Sequence, residues 1–164
     1  MKKVFSVSKK FSLIVSVVVV SAMLLASCKK DDDSHNNPSS YTISGSASGS
    51  QMVPAVSGNG SATIAGTYDP NTRVLTYTTN WTGLSGAPTS GGFYSGASGT
   101  NGTLVGSSWS LGSGLTSTGT FSGQTTLTAD QATQLTSGNW YYTLGTASNT
   151  NGEVRGQITA TPTP

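Results

Sequence analysis

Side chains able to do chemistry are few in this chain, and their positions restrict what it can catalyse. Cys28 is the one thiol and His35 the one imidazole. From Tyr41 onward the only charged side chains are Asp69, Arg73, Asp130, Glu153 and Arg155. A Ser-His-Asp triad would lack its base there. A zinc centre would find neither imidazole nor thiolate, only three carboxylates. Glycoside hydrolysis needs two carboxyl groups flanking one bond, about 5 or about 6.5–9.5 Å apart. Asp69, Asp130 and Glu153 are expected on a turn, a helix start and a strand, which does not gather them. No acidic loop has the spacing of a calcium-binding EF-hand. No catalytic, cofactor-binding or metal-binding residue is therefore expected. The alternative, a carboxylate-dependent hydrolase or metal-binding protein, requires those three carboxylates to converge.

Glu153 and Arg155 are two apart on an expected strand, so they share a face. They read as a structural pair, an ion pair or cross-strand network fixing the last hairpin; as a surface pair they would contribute about 0–1 kcal/mol. The other reading is a polar recognition pair. Tyr77, Trp81, Trp140 and Tyr142 are expected in the core. Phe93, Tyr94, Trp109 and Tyr141 are less clearly inward, and an exposed row of them would stack on sugars or dock on a protein.

The thiol has a context of its own. Lys2, Lys3, Lys9 and Lys10 precede an apolar run, residues 11–26, rich in Val and Leu. At about 16 residues it falls short of the ~20 that a membrane-crossing helix needs. Its length and flanks suit a signal peptide, residues 1–27. The run ends Leu25-Ala26-Ser27-Cys28, which resembles the bacterial lipobox. Small residues there suit a narrow peptidase site, and a thiol is needed because the diacylglyceryl group is attached as a thioether. Cys28 is thus the expected lipidation site. Two or more acyl chains hold a protein on a bilayer where one is marginal. Without Cys28 no cysteine remains, so no disulfide forms within one copy.

Lys29-Lys30-Asp31-Asp32-Asp33 begins a polar tether, residues 28–40, which also contains His35. A Lys followed by acidic residues after a lipidated Cys looks like the surface-export signal of some Gram-negative lipoproteins. The expected location is the outer membrane, at the cell surface. Removal of the signal takes away four of the eight basic residues, leaving four against six acidic ones, or −2. No basic patch remains to neutralise phosphates, so nucleic acid is not an expected partner.

The elements that would position these residues are strands. All 21 glycines lie from Gly45 onward, but aromatic and β-branched residues alternate among them as disorder would not require. Ala62, Ile64, Gly66 and Tyr68 fall on one face of a strand. Leu75, Tyr77, Thr79 and Trp81 fall on one face of the next. Asp69-Pro70-Asn71-Thr72 between them suits a type I turn. Residues 103–111 and 118–127 read as weaker strands. Trp140, Tyr142 and Leu144 alternate with Tyr141 and Thr143. Val154, Gly156, Ile158 and Ala160 are expected inward, with Glu153, Arg155, Gln157 and Thr159 outward. Thr128-Ala129-Asp130-Gln131 has the form of a capping box opening a short helix to about Leu135, ended near Gly138. The expected fold is all-β: an antiparallel Greek-key-like β-sandwich or barrel with one short helix. Thr100-Asn101-Gly102-Thr103-Leu104 echoes Thr150-Asn151-Gly152-Glu153-Val154 fifty residues on, read as two similar hairpin turns, with a pseudo-symmetric pair of half-sandwiches as the alternative.

Three segments carry a family resemblance: Gln51-Met52-Val53-Pro54; Trp81-Thr82-Gly83-Leu84-Ser85-Gly86-Ala87-Pro88-Thr89; and Gly152-Glu153-Val154-Arg155-Gly156-Gln157-Ile158. In this order they resemble the CHRD domain, the module named after chordin, over roughly residues 41–160, with 161–164 as a tail. Members often carry His-x-His where Gly92-Phe93-Tyr94 stands here, and His-Thr where Gly145-Thr146 stands. Metal or acid–base roles attached to those histidines do not transfer. The resemblance implies the fold more than an activity. A lipid-anchored envelope or surface module with a non-enzymatic binding or structural role is expected. Its partners would be the membrane, through the lipid at Cys28, and an envelope glycan or protein.

Overall fold

The computed structural model describes residues 38–164. The expected signal peptide 1–27, the expected lipidation site Cys28, His35 and most of the expected tether 28–40 lie outside the described residues. Among the described residues nine antiparallel strands form one curled, half-barrel sheet with a single α-helix: β1 (Ser40–Ser48), β2 (Ser61–Asp69), β3 (Val74–Thr82), β4 (Pro88–Ser95), β5 (Thr103–Val105), β6 (Gly119–Thr126), α1 (Ala129–Thr136), β7 (Trp140–Thr146), β8 (Val154–Gln157) and β9 (Thr159–Thr163). Their order is β5-β4-β7-β8-β1-β2-β3-β6, with β9 also beside β1. Adjacent hairpins are thus joined by long crossings, in keeping with the expected class.

The β2–β3 hairpin forms where the turn residues predict it. The Asp69 carboxylate accepts from the Asn71 amide at 2.8 Å and from the Thr72 hydroxyl at 2.9 Å. Those bonds, the Asn71 amide first, hold its pKa below the ordinary value. The two alternating faces are found as expected: Ala62, Ile64, Tyr68, Leu75, Tyr77, Thr79 and Trp81 are buried. Opposite Thr79 there is no partner for its hydroxyl, which is fully buried and unsatisfied. A buried polar group without a hydrogen bond destabilises the fold. Thr79→Val keeps the shape and removes the group, so it is expected to raise stability by about 1 kcal/mol, measured by denaturant unfolding.

The capping box is present. The Gln131 amide donates to the Thr128 hydroxyl at 3.2 Å, and the Thr128 amide donates to the Gln131 side chain at 2.9 Å. Leu135, wholly buried, fixes the helix to the core, and Gly138 closes its end at φ 73°.

β8 and β9 continue one another past Ile158. Both keep the same register against β1, from Ser48 opposite Arg155 to Ser40 opposite Thr163. β8 also pairs with β7, so the strand leaves one neighbour and follows the other. This bend brings Gly156 close to β1 and β7. A Cβ on Gly156 would stand 2.6 Å from the Ser46 carbonyl oxygen and 2.8 Å from the Tyr142 ring, which explains why a side chain is excluded there.

Curling sets β3 and β6 against β4 and β7. Tyr77 meets Phe93 edge-on at 4.7 Å, and Trp109 fills the gap, 5.1 Å from Phe93 and 5.5 Å from Phe121. Two expectations change here. The strand expected over 103–111 stops at Val105, because Gly106 turns at φ 68°. Trp109 enters the core from the following loop, its amide bonded to the Gly91 carbonyl. Nor is there an exposed aromatic row. Phe93, Trp109 and Tyr141 are buried, and the exposed large hydrophobic residue among those described is Leu104.

Candidate functional site

β7 is buried along its whole length, so both of its faces are covered. Trp140, Tyr142 and Leu144 face the core. On the outer face the register aligns Tyr94 of β4 with Tyr141 of β7, and Thr143 of β7 with Arg155 of β8. Segments 49–56 and 96–102 lie over this face. The first is tightened by a 3-10 turn at Gly49–Gln51, with the Met52 and Val56 amides both bonded to the Gly49 carbonyl. The two segments are tied together by the Asn101 side-chain amide, which donates to the Val53 carbonyl at 2.8 Å. The Gly102 amide donates to the Tyr141 hydroxyl at 3.0 Å.

A cleft of about 620 Å³ opens on this face. Its floor is Tyr94, Tyr141, Thr143 and Arg155. One wall is apolar, formed by Met52, Val53, Pro54 and Val56. Asn101 borders the cleft beside this wall, and the 148–152 loop completes the rim with hydroxyl and amide side chains. Both halves of the Thr-Asn-Gly echo thus border one hollow. Tyr94 and Tyr141 stack at 5.3 Å and 12°, and the Arg155 guanidinium lies 3.6 Å from the centre of the Tyr141 ring. Cation–π contact of this kind strengthens when water is excluded, and Arg155 is only 2% exposed.

The outward placing of Glu153 and Arg155 therefore does not make them a surface pair. Both are buried, and each holds its own partners. Arg155 Nη2 donates to the Ala97 carbonyl at 3.0 Å. Glu153 accepts from the Ser85 amide at 2.7 Å, the Ser85 hydroxyl at 2.5 Å, the Thr146 hydroxyl at 2.6 Å and the Asn149 amide at 3.3 Å. Burial alone would raise the Glu153 pKa. The combined bonds from Ser85, Thr146 and Asn149 outweigh it and hold the carboxyl below its usual range. Through Asn149 this network also braces the loop at the cleft rim.

Asp69 stands on the β2–β3 turn and Asp130 in the first turn of α1. Neither they nor Glu153 line the cleft. Among the described residues no group of three or more His, Cys, Asp or Glu side chains is placed to hold a metal ion. Sequence patterning missed the wall at Met52 and Val53 and the floor at Thr143. The repeated Asn-Gly and the isolation of Arg155 in a nearly uncharged domain were the available signals.

The three segments singled out in the sequence come together at this cleft and the Glu153 network beside it. The first builds the wall, the second brings Ser85 to Glu153, and the third supplies Glu153 and Arg155. No curated protein and no solved structure matches the chain. The family model of the CHRD domain matches residues 43–158, a span that takes in every one of these segments, and the chain belongs to that family.

Proposed function

We propose that the protein is a non-enzymatic binding module of the cell envelope, anchored by lipid at Cys28 and displayed at the surface of a Gram-negative outer membrane. The cleft carries this reading. Its volume lies within the range of about 300–1,000 Å³ usual for ligand sites. It combines an apolar wall, a cation and several hydroxyl and amide groups, which suits recognition of a polar ligand. The anchor rests on the Leu25-Ala26-Ser27-Cys28 sequence, and the tether would hold the domain off the bilayer. An envelope or extracellular glycan or protein is the partner within reach of such a domain.

Fragment 36–164, a compact unit by itself, immobilised and exposed to solubilised envelope and matrix material, is expected to retain a component saturably. Thr150→Trp, which places a large ring at the exposed rim, is expected to reduce that retention at least tenfold. Retention of nothing removes the binding reading; equal retention by both forms removes the cleft as its site. Protease treatment of intact cells is expected to cleave the domain; its survival until lysis would remove the surface location.

A further inference from the structure

Arg155 is the feature of the cleft that its known partners do not explain. A buried charge is ordinarily paired, because an uncompensated one in a low dielectric is costly. Tyr141 and the Ala97 carbonyl satisfy one side of the guanidinium. Nη1 is buried with no hydrogen-bond partner among the described residues. The nearest carboxylate in sequence, Glu153, is bonded to Ser85, Thr146 and Asn149 instead. Among the described residues Arg155 is also the single charged one lining the cleft, and it lines a second hollow of about 260 Å³ beside it. Met52 and Val53, like Arg155, border both hollows.

We propose that the cleft binds an acidic ligand through its oxyanion group, with Arg155 as the counter-charge. This deepens the binding-module reading and rests on it. A carboxylate, sulfate or phosphate oxygen satisfies the orphaned Nη1 and supplies the missing negative charge, and charge-assisted bonds of this kind are about twice as strong as neutral ones. Met52, an unbranched thioether with three rotatable bonds, can move aside to let the anion reach Nη1. The remaining ligand surface meets the Ser148 and Thr150 hydroxyls, the Asn151 amide and the apolar wall. That mixture suits an acidic sugar better than a bare ion. Both faces of Tyr141 are occupied, one by Tyr94 and one by Arg155, so the ring holds the guanidinium and is not itself a platform for stacking.

The test is calorimetric titration of the full-length lipoprotein in neutral detergent with sodium glucuronate, glucose and sodium sulfate. Saturable binding of glucuronate is expected, with none of glucose at the same concentration. Sulfate binding as tightly as glucuronate identifies a general oxyanion site, and sulfate rejection identifies a carboxylate site; either supports the proposal. Arg155→Met, which keeps the length of the side chain without its charge, is expected to weaken glucuronate at least tenfold. Should that variant fail to fold, the Arg155 side-chain NMR resonances of the wild type must shift on adding glucuronate. The proposal is overturned if the wild type binds neither anion, if Arg155→Met binds as tightly as the wild type, or if those resonances stay in place. An envelope component captured equally by wild type and Arg155→Met would leave the binding-module reading standing and remove this one alone.

Discussion

Glu153→Ala is expected to destabilise the domain by about 3–4 kcal/mol, lowering Tm by about 10 °C or more. The carboxylate receives four hydrogen bonds from three residues: Ser85, distant in sequence, and Thr146 and Asn149 in the hairpin that precedes it. Alanine leaves the Ser85 and Asn149 amides without this acceptor, leaves the Ser85 and Thr146 hydroxyls only each other, and empties the space around the buried Thr146. Such losses exceed what the bonds contribute net, because the orphaned donors bear the full cost of desolvation. Glu153→Gln keeps the volume and one acceptor oxygen, and a smaller loss of about 2 kcal/mol is expected.

The same network gives a pH signature. The folded-state pKa of Glu153 lies below its ordinary value of 4.5. Its contribution is therefore complete above about pH 4.5 and is lost as pH falls through the depressed folded value. Denaturant unfolding from pH 6 downward should show wild-type stability falling in this window. Glu153→Gln should fall less steeply, retaining the part due to Asp69, whose pKa is also lowered. Parallel pH profiles for the two proteins would contradict the assignment.

The second large effect concerns location. Cys28→Ala is expected to abolish incorporation of a fatty-acid analogue and to move the protein out of the membrane fraction. The thioether has no alternative attachment point, since Cys28 is the only cysteine. Two acyl chains are the difference between stable and marginal membrane binding, so the shift should be nearly complete. An unlabelled parent protein, or a Cys28→Ala form that fractionates with the parent, would remove the anchor and with it the surface partner.

Local signals in the sequence were most informative where they specify a single backbone event. Asp69-Pro70-Asn71-Thr72 set the turn of the β2–β3 hairpin, and Thr128 with Gln131 set the start of α1. The alternation of Leu75, Tyr77, Thr79 and Trp81 identified the core face, even though one of them is a threonine. Period-two patterning says only which side of a sheet a residue faces. It does not say what lies over that side. Tyr141, Thr143 and Arg155 were correctly placed opposite the core, yet they are buried, because segments 49–56 and 96–102 fold across them. Those segments have little apolar periodicity, and what holds them there is a set of specific bonds such as Asn101 to the Val53 carbonyl. Trp109 was obscure for a related reason: a loop residue carries no periodic signature, and its place in the core depends on a gap between strands far apart in the chain. The echo of Thr-Asn-Gly at 100–102 and 150–152 gains its meaning only once the fold brings both to one cleft.

Hydrogen–deuterium exchange on the domain, with and without the envelope component it retains, tests most directly whether the cleft is where the protein binds. Slowed exchange is expected in segments 52–56 and 101–102 and in the 148–152 loop, with strands β2 and β3 unchanged. Protection confined to another surface, such as the open edge of β6, with those three segments unaffected, would contradict it.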